Sequence, residues 1–327
     1  MLPIAVDAMG HDRGPSDIVA GARRAAEQGA PVVLVGRPEE LGDTGGLEVW
    51  PASEVIEMTD DVAAAVRRKK DSSVVRSAEA VRDGRAGAMV SAGNTGAAMG
   101  AALLRMGRIP GISRPGIATT FPVPGSGPTV ILDVGANPEC SPEMLVQFAQ
   151  MGAAFCSLRH GIERPRTALL SNGEESSKGT SAVKAAHALL ADPTVLAGSG
   201  GTFIGNVEGR DLLTDNVDVV VTDGFTGNVV LKALEGGMKF MRRALFGIMT
   251  STPEAQKASE VLLPLLLPLV KEMDPDTYGG AVLLGVDGVC IISHASSSPD
   301  AVCNAVLLGR DMVACGLVDR LRQSLKV

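Results

Sequence analysis

Two polar turns, each following an apolar run with β-strand character, have the composition of an anion-binding site. The turn Asp133–Asn137 (Asp-Val-Gly-Ala-Asn) follows the run 129–132, and the turn Val221–Asn228 (Val-Thr-Asp-Gly-Phe-Thr-Gly-Asn) follows the run 217–221. A Gly-rich turn between a strand and a helix presents backbone N–H groups and the positive end of a helix dipole. Such a turn binds phosphate or another anion without many basic side chains.

Three more turns share this composition, so the chain has five in all: Ser91–Gly96, Gly173–Gly179 and Gly205–Gly209 join the two above. The predicted substrate-binding residues are Gly residues and short polar side chains of three of the five turns, since such residues can close a turn or donate to an oxyanion. These residues are Asn94, Thr95, Gly96, Asp133, Gly135, Asn137 and Gly227. Five such turns predict one site built around a small oxyanion.

Three residues in these turns are candidates for catalysis. Lys178 comes just before a predicted helix, where a cation is unfavourable unless a bound anion compensates for it. Asn228 begins a predicted long helix, and it could cap that helix and still contact a substrate. The carboxylate of Asp223 would repel phosphate unless it were protonated or paired with Lys178, so we predict an orienting role for it.

The elements that must position these turns alternate between short β-branched runs and Ala-rich helical patterns. The predicted strands are Leu2–Val6, Pro31–Val35, Gly87–Val90, Gly116–Phe121, Thr129–Leu132, Thr167–Leu170, Thr202–Ile204, Val217–Val221 and Val289–Ile292. The predicted helices are Asp17–Gln28, Val74–Asp83, Thr95–Met106, Pro142–His160, Ser181–Leu190, Asn228–Met249 and Pro299–Leu317.

This alternation predicts a three-layer α/β/α fold in which a mostly parallel sheet is covered on both faces. Ligands of such sheets bind outside the carboxyl ends of the strands, and all five turns follow such ends. The chain has neither an internal repeat nor a low-complexity linker. We therefore predict a single catalytic α/β domain over residues 1–327.

One segment, at about 251–276, departs from the pattern and is predicted to be an apolar, Leu/Pro-rich helical excursion. Its ten central residues, 261–270, are apolar or Pro, a run too short to span a bilayer, and two prolines four apart would disrupt an ordinary buried helix. The sequence leaves two alternatives open: a buried core or dimer-interface segment, or an exposed tip that touches a bilayer or an acyl chain. The residues of that tip would be Leu262, Leu263, Leu265, Leu266 and Leu267.

The amino-acid composition and the motifs that the sequence lacks argue against several classes of protein. Aromatic residues make up 3% of the 327 residues and the net charge is −7, which argues against a nucleic-acid partner. The five cysteines form no Cys-x-x-Cys pair, and the N-terminus lacks the basic and apolar regions of a secretory signal, so a cytoplasmic protein with reduced thiols is expected. Neither metal-ligand spacing nor a Gly-x-Ser-x-Gly elbow is present, and we predict no metal and no cofactor.

Motifs in a fixed order over nearly the whole chain resemble the bacterial phosphate acyltransferase family, PlsX. The motifs are Ile4–Gly10, Val66–Ser73, Val90–Ala97, Asp133–Asn137, Gln147–Gly152, Asn172–Gly179, Gly205–Gly209, Asp223–Val229 and Gly279–Gly285. Each motif alone is weak, but the ordered set is highly specific.

The resemblance implies an activity: reversible transfer of a long-chain fatty acyl group from acyl carrier protein to inorganic phosphate, which gives acyl phosphate for phospholipid (phosphatidic acid) synthesis. It also implies a fold like those of phosphate acetyltransferases and isocitrate-type dehydrogenases, a homodimer, and peripheral contact with the inner face of the membrane. A membrane-embedded glycerol-3-phosphate acyltransferase would take up the product.

The basic run Arg67, Arg68, Lys69 and Lys70 has two interpretations: a solvated face, or a docking site for the strongly acidic carrier protein of this family's reaction. The implied chemistry needs no enzyme nucleophile, because phosphate itself attacks a thioester. The protein has only to hold phosphate beside the carbonyl and stabilise the developing oxyanion.

Two other functions remain as alternatives at this stage. A nicotinamide-dependent dehydrogenase would share the implied fold, although no Gly-x-Gly-x-x-Gly with an acidic residue ~20 positions further on follows the first strand. A non-catalytic membrane scaffold would use the Leu/Pro-rich segment and would not depend on Lys178.

Overall fold

The computed structural model describes residues 1–325, and its centre is an eleven-stranded mixed sheet. Residues 326–327 of the predicted domain lie outside the described residues. The strands are β1 (Ile4–Asp7), β2 (Val32–Gly36), β3 (Glu48–Pro51), β4 (Ala88–Ser91), β5 (Gly116–Phe121), β6 (Thr129–Leu132), β7 (Arg166–Leu170), β8 (Thr202–Val207), β9 (Val219–Val221), β10 (Ala281–Leu284) and β11 (Val289–Ile292).

Ten α-helices cover the two faces of this sheet. They are α1 (Ser16–Glu27), α2 (Val62–Arg68), α3 (Ser73–Arg82), α4 (Thr95–Arg105), α5 (Pro142–His160), α6 (Ser181–Leu190), α7 (Gly224–Met249), α8 (Pro253–Glu272), α9 (Pro299–Ala314) and α10 (Leu317–Ser324).

Alternate residues of the strands feed two separate cores, one on each face. In β6, Val130 and Leu132 belong to the core that includes residues of α1, α5, α6 and α9, whereas Ile131 between them belongs to the core that includes residues of α2, α3, α4 and α7. This is the period of two that places successive strand side chains on opposite faces. The predicted three-layer α/β/α arrangement is therefore confirmed.

The direction of the strands reverses in the middle of the sheet. The strand order is β3-β2-β1-β4-β11-β10-β5-β6-β9-β7-β8. Strands β1 to β4 and β11 are mutually parallel, and so are β6, β9, β7 and β8. Because β10 is antiparallel to β11 and β5, and β5 is antiparallel to β6, the two groups run in opposite directions. Their carboxyl ends consequently lie at opposite edges of the sheet.

Every predicted strand and helix has a counterpart, but four elements were missed: β3, β10, α2 and α10. The helix predicted over 299–317 ends at Ala314, and Gly316, with a φ of +69°, separates it from α10. The helix predicted to begin at Asn228 begins at Gly224 instead, because the side chain of Asp223 caps it.

The Leu/Pro-rich segment forms one continuous helix, α8, which Pro264 and Pro268 do not break. The two prolines are four residues apart, so both lie on the same side of the helix, and both are exposed. The carbonyls that lose their hydrogen bonds can therefore be solvated. Within this chain the segment is not buried, since Leu265 is 74% exposed and Val261 is 73% exposed.

Of the other predicted tip residues, Leu262 and Leu267 are exposed, whereas Leu263 and Leu266 are half-buried. Among the described residues no single helix is both long and apolar enough to cross a membrane. Helices α9 and α10 have the necessary length and apolar composition only when they are taken together, and they are bent by 57° relative to each other.

Candidate active site

Four of the five polar turns lie side by side at one edge of the sheet. The turns after β6, β9 and β7 follow the carboxyl ends of adjacent parallel strands, which are about 4.8 Å apart. Of the predicted turn Gly205–Gly209, the first three residues belong to β8 itself, and the rest follow its carboxyl end at the same edge. The turn after β4 lies at the opposite edge of the sheet, because β4 runs antiparallel to those four strands. The prediction that all five turns form one site is therefore wrong, because Asn94, Thr95 and Gly96 are separated from the other four turns by the reversal of strand direction.

Asp133 organises the turn after β6. Its carboxylate is fully buried and accepts hydrogen bonds from the backbone N–H groups of Ile117 (3.0 Å), Gly135 (3.1 Å), Ala136 (2.9 Å) and Asn137 (2.8 Å). The side-chain amide of Asn137 donates a fifth, at 2.9 Å. Because both oxygens are occupied, Asp133 shapes the turn and does not offer its carboxylate to a substrate. Direct substrate contacts by Gly135 and Asn137 remain predictions.

Asp223 is the N-cap of α7. One of its carboxylate oxygens accepts from the backbone N–H of Thr226 and the other from the Thr226 hydroxyl, each at 2.8 Å. No ion pair joins Asp223 and Lys178 among the described residues, and the orienting role of Asp223 stays a prediction. Asn228, which is not the cap, is exposed near the start of α7, and its amide is accessible to a ligand.

The start of α7 packs against the turn after β6 through two glycines. The backbone N–H of Gly224 donates to the carbonyl of Asn137 at 2.7 Å, and a Cβ at Gly224 would lie 2.8 Å from backbone atoms of Asn137. A Cβ at Gly227 would lie 1.9 Å from the carbonyl oxygen of Asp133. Gly227, predicted as a substrate-binding residue, is thus buried at the contact that holds Asn228 beside Gly135.

Lys178 is an exposed cation on the loop that follows β7. The loop is closed by a hydrogen bond from the Gly179 N–H to the Asn172 side chain (2.9 Å), and the Lys178 N–H donates to the Glu175 carbonyl (2.9 Å). The neighbouring Glu174 pairs with Arg210 at 3.2 Å, and none of the ion pairs in residues 1–325 includes Lys178. Its positive charge is therefore available for an anion.

Two buried polar atoms without a hydrogen-bond partner lie below this loop: the Ser171 hydroxyl and the Asn206 side-chain oxygen. The Asn206 amide donates to the Glu175 carbonyl at 2.9 Å, and a Cβ at Gly179 would lie 3.0 Å from the Ser171 oxygen. A buried polar group without a partner costs about 1–3 kcal/mol. The sequence analysis missed both residues, although Asn206 belongs to the Gly205–Gly209 motif.

The opposite edge carries a different cluster, centred on Asp7 at the end of β1. Burial raises the pKa of this carboxyl group to about 6, against hydrogen bonds from Ser73, Ser91 and Met9 that lower it. The Ser91 hydroxyl donates to Asp7 at 2.7 Å. A small cleft beside Asp7 is lined by Ser73 and Asn94 among other residues.

The turn after β4 belongs to this second cluster. The side-chain oxygen of Asn94 accepts from the Ala97 N–H at 3.1 Å, so Asn94 is the N-cap of α4. Thr95, the first residue of that helix, is exposed, and Gly96 is half-buried. Any substrate contact of these three residues would belong to the Asp7 edge and not to the Lys178 edge.

The basic run at the end of α2 is only partly free. Lys69 donates to the Val55 carbonyl at 2.8 Å and to Asp60 at 2.6 Å, so its charge is used within the chain. Arg67, Arg68 and Lys70 are exposed and take part in none of the ion pairs of the described chain.

The position of this run follows from the contact between α2 and α4. The Arg105 side chain at the end of α4 donates to the Val66 carbonyl at 3.3 Å, so the carboxyl ends of the two helices meet. The start of α2 lies beside the start of α4, since a Cβ at Gly96 would be 3.2 Å from the Val62 side chain. Lys69 contacts the Val55 carbonyl, and both Val55 and Ser73 line the cleft beside Asp7, so the basic run ends near the Asp7 edge of the sheet.

Within residues 1–325 no three His, Cys, Asp or Glu side chains are grouped closely enough to hold a metal ion. What the Lys178 edge does offer is one exposed cation, one exposed side-chain amide and Gly-rich backbone turns. This set can bind an anion and stabilise a negative charge that develops on oxygen.

Comparison with known proteins identifies the family. A family model described as "Fatty acid synthesis protein" matches residues 2–320. The chain is 47% identical over 337 residues to the phosphate acyltransferase of Pelotomaculum thermopropionicum, and the match covers 99% of this chain and 95% of the relative. The chain belongs to the phosphate acyltransferase (PlsX) family. The resemblance seen in the ordered motifs is thereby confirmed.

Solved structures share the fold of this PlsX-family chain. The EutD phosphotransacetylase of Staphylococcus aureus superimposes with a TM-score of 0.61 at 16% identity, over 95% of this chain and 94% of that one. A 4-hydroxythreonine-4-phosphate dehydrogenase of Klebsiella pneumoniae gives 0.53 at 15% identity, over 96% and 100%. These likenesses confirm the expected phosphotransacetylase-like α/β fold, and at such identities they show the fold alone.

Proposed function

We propose that this chain transfers a long-chain fatty acyl group, reversibly, from the thioester of acyl carrier protein to inorganic phosphate, and so forms acyl phosphate for phospholipid synthesis. Membership of the phosphate acyltransferase family supports the phosphate acceptor and the acyl transfer. The observation that carries the proposal is the exposed Lys178 without an ion-pair partner, on the same sheet edge as the exposed amide of Asn228.

In the proposed reaction an oxygen of phosphate attacks the thioester carbonyl carbon. A C–O bond forms, the carbonyl becomes a tetrahedral oxyanion, and its collapse breaks the C–S bond and releases the carrier thiolate, which takes a proton from water. Lys178 holds phosphate and offsets its charge, and the Asn228 amide donates to the oxyanion. Holding both reactants in place supplies much of the rate, so no enzyme nucleophile is required.

Asp133 and Asp223 act indirectly in this scheme. The first carboxylate fixes the turn that Gly227 packs against, and the second caps the helix that carries Asn228. The orienting role expected for Asp223 is thus exerted on α7 and not on Lys178.

The acyl carrier protein docks, in this proposal, on the exposed cations of α2. Arg67, Arg68 and Lys70 present three exposed positive charges without ion-pair partners among the described residues, and an acidic carrier would be steered to them. Lys69 contributes less, because Asp60 already pairs with it.

The hairpin of α7 and α8 supports a homodimer and peripheral contact with the cytoplasmic face of the membrane. Met241 (64%), Ile248 (68%) and Leu265 (74%) are large apolar side chains that this chain leaves exposed. Such surfaces are typical of subunit or membrane contacts. Acyl phosphate released at the membrane would reach a membrane-embedded glycerol-3-phosphate acyltransferase directly.

The double substitution Leu265→Glu and Leu266→Glu tests the dimer or membrane contact separately from the acyl transfer. The double variant should lose vesicle binding or dimerisation while its turnover of acyl carrier in solution survives. A variant that loses turnover and keeps vesicle binding would argue against this division of roles.

The reaction itself is tested by incubating the purified protein with palmitoyl carrier protein and inorganic phosphate, and by following free carrier thiol and acyl phosphate. We expect thiol release only when phosphate is present, with one acyl phosphate per thiol. Release that is independent of phosphate would indicate a thioesterase, and no release from a folded protein would refute the proposed activity.

A further inference from the structure

The outer face of α7 carries an apolar stripe that nothing in the described chain covers. Phe225, Val229, Ala233, Gly236 and Phe240 follow one another at spacings of four, four, three and four residues, which places them on one side of the helix. All five are exposed. The core-facing side of the same helix is formed instead by Leu231, Leu234 and Met238.

We propose that this stripe binds the alkyl chain of the acyl substrate, an inference that rests on the proposed function. The stripe starts at the reaction centre, because Phe225 and Val229 flank Asn228 in the first two turns of α7. A thioester whose carbonyl lies at Asn228 must direct its alkyl chain along some surface from there. The stripe is the apolar surface that continues from this point, and burial of methylene groups against it is favourable.

The length of the stripe matches a long acyl chain. The twelve steps along α7 from Asn228 to Phe240 span about 18 Å at about 1.5 Å per residue. An extended alkyl chain advances about 1.25 Å per carbon, as follows from a C–C bond of about 1.5 Å and a near-tetrahedral angle. About fourteen carbons would therefore reach from the carbonyl to Phe240.

The side-chain sizes along the stripe form a shallow channel with larger residues at both ends. Phe225 and Val229 stand at the reaction end and Phe240 at the far end, with the small residues Ala233 and Gly236 between them. A Cβ at Gly236 would meet nothing within 4 Å, so the space above this residue is open. A bulky side chain at 236 should therefore block a long chain and leave a short one unaffected.

The test replaces Gly236 with Leu and uses Gly237→Leu as the matched control. A Cβ at Gly237 also meets nothing within 4 Å, but this residue lies about 100° further round the helix, beside the stripe. Each variant is assayed for turnover, and for equilibrium binding of octanoyl and palmitoyl carrier protein. In Gly236→Leu we expect about a tenfold loss of palmitoyl binding and of kcat/KM with octanoyl values preserved, and in Gly237→Leu an unchanged ratio of the two.

Three outcomes would overturn the inference. Equal losses for both chain lengths together with a change in sedimentation would assign the stripe to an interface between two copies of the chain. Loss of vesicle binding without a change in the chain-length ratio would assign it to lipid, and an unchanged ratio in both variants would reject the channel outright. If Gly236→Leu binds palmitoyl carrier protein more weakly than the wild type does, but the wild type releases no thiol, the stripe binds the alkyl chain and the proposed reaction is wrong.

Discussion

Gly227 lies so close to the main-chain carbonyl of Asp133 that a Cβ on it would be 1.9 Å from the carbonyl oxygen. This contact joins the first turn of α7 to the turn after β6. The carboxylate of the same Asp133 is buried and holds that turn through five N–H groups. The position of Asn228, one residue further along α7, is therefore set by backbone packing at Gly227.

Replacing Gly227 with Ala should destabilise the protein, because the added methyl group overlaps the Asp133 carbonyl and α7 must shift. We expect a loss of about 3 kcal/mol in the free energy of unfolding, measured by urea denaturation, together with reduced turnover. Gly237→Ala is the matched control in the same helix, since its Cβ meets nothing within 4 Å. That control should stabilise by about 0.5–1 kcal/mol, and equal stability of the two variants would contradict the packing argument.

Replacing Lys178 with Ala should abolish most turnover and leave the fold intact. The side chain is exposed and takes part in no ion pair of the described residues, so its removal should change the free energy of unfolding by no more than about 0.5 kcal/mol. Loss of a charge that stabilises phosphate and the transition state should lower kcat/KM about a hundredfold or more. Lys184→Ala, an exposed lysine on α6, is the control, and full activity in Lys178→Ala would refute the proposed role.

Replacing Asp7 with Asn should stabilise the protein at neutral pH. Burial raises the pKa of this carboxyl group from 3.8 to about 6, so the folded state binds its proton more tightly than the unfolded chain does. The stabilising contribution of that proton is present below pH 3.8 and is lost as the pH rises to about 6.

Asn keeps the shape of the protonated acid and does not ionise. We therefore expect Asp7→Asn to exceed the wild type by up to about 3 kcal/mol above pH 7, with the difference disappearing near pH 4, as measured by denaturation at several pH values. A difference that is constant over this range would show that the carboxyl group does not titrate there.

Reversing the charges of Arg67 and Arg68 to Glu should weaken docking of the carrier protein without affecting the chemistry. We expect KM for acyl carrier protein to rise about tenfold at low salt with kcat nearly unchanged, and the salt dependence of kcat/KM to become shallower. Arg164→Glu is the control, because this exposed arginine precedes β7, which lies six strands from β4 in the order of the sheet. An equal effect of Arg164→Glu would indicate a general influence of net charge.

Much of the local structure follows from the sequence because its causes lie within a few residues. The side chains of Asn94 and Thr180 cap their helices by reaching residues three positions ahead, and β5, β6 and β11 occupy the predicted ranges. The Lys178 loop was likewise predictable as a Gly-rich turn between a strand and a helix. The family was predictable too, since its motifs stand in a fixed order along the chain.

Only the tertiary structure decided which turns come together. The short strand β10 hydrogen-bonds to β5, more than 150 residues earlier in the chain, and so joins the two groups of strands, whose opposite directions are completed by the antiparallel pair of β5 and β6. No local pattern encodes that pairing, and it removes Asn94 from the edge that carries Lys178. Long-range packing also buried Gly227 and brought N–H donors to the carboxylate of Asp133, whereas Asn228 and Lys178 are exposed. The sequence alone does not show this difference, because the availability of a side chain depends on neighbours that are distant in sequence.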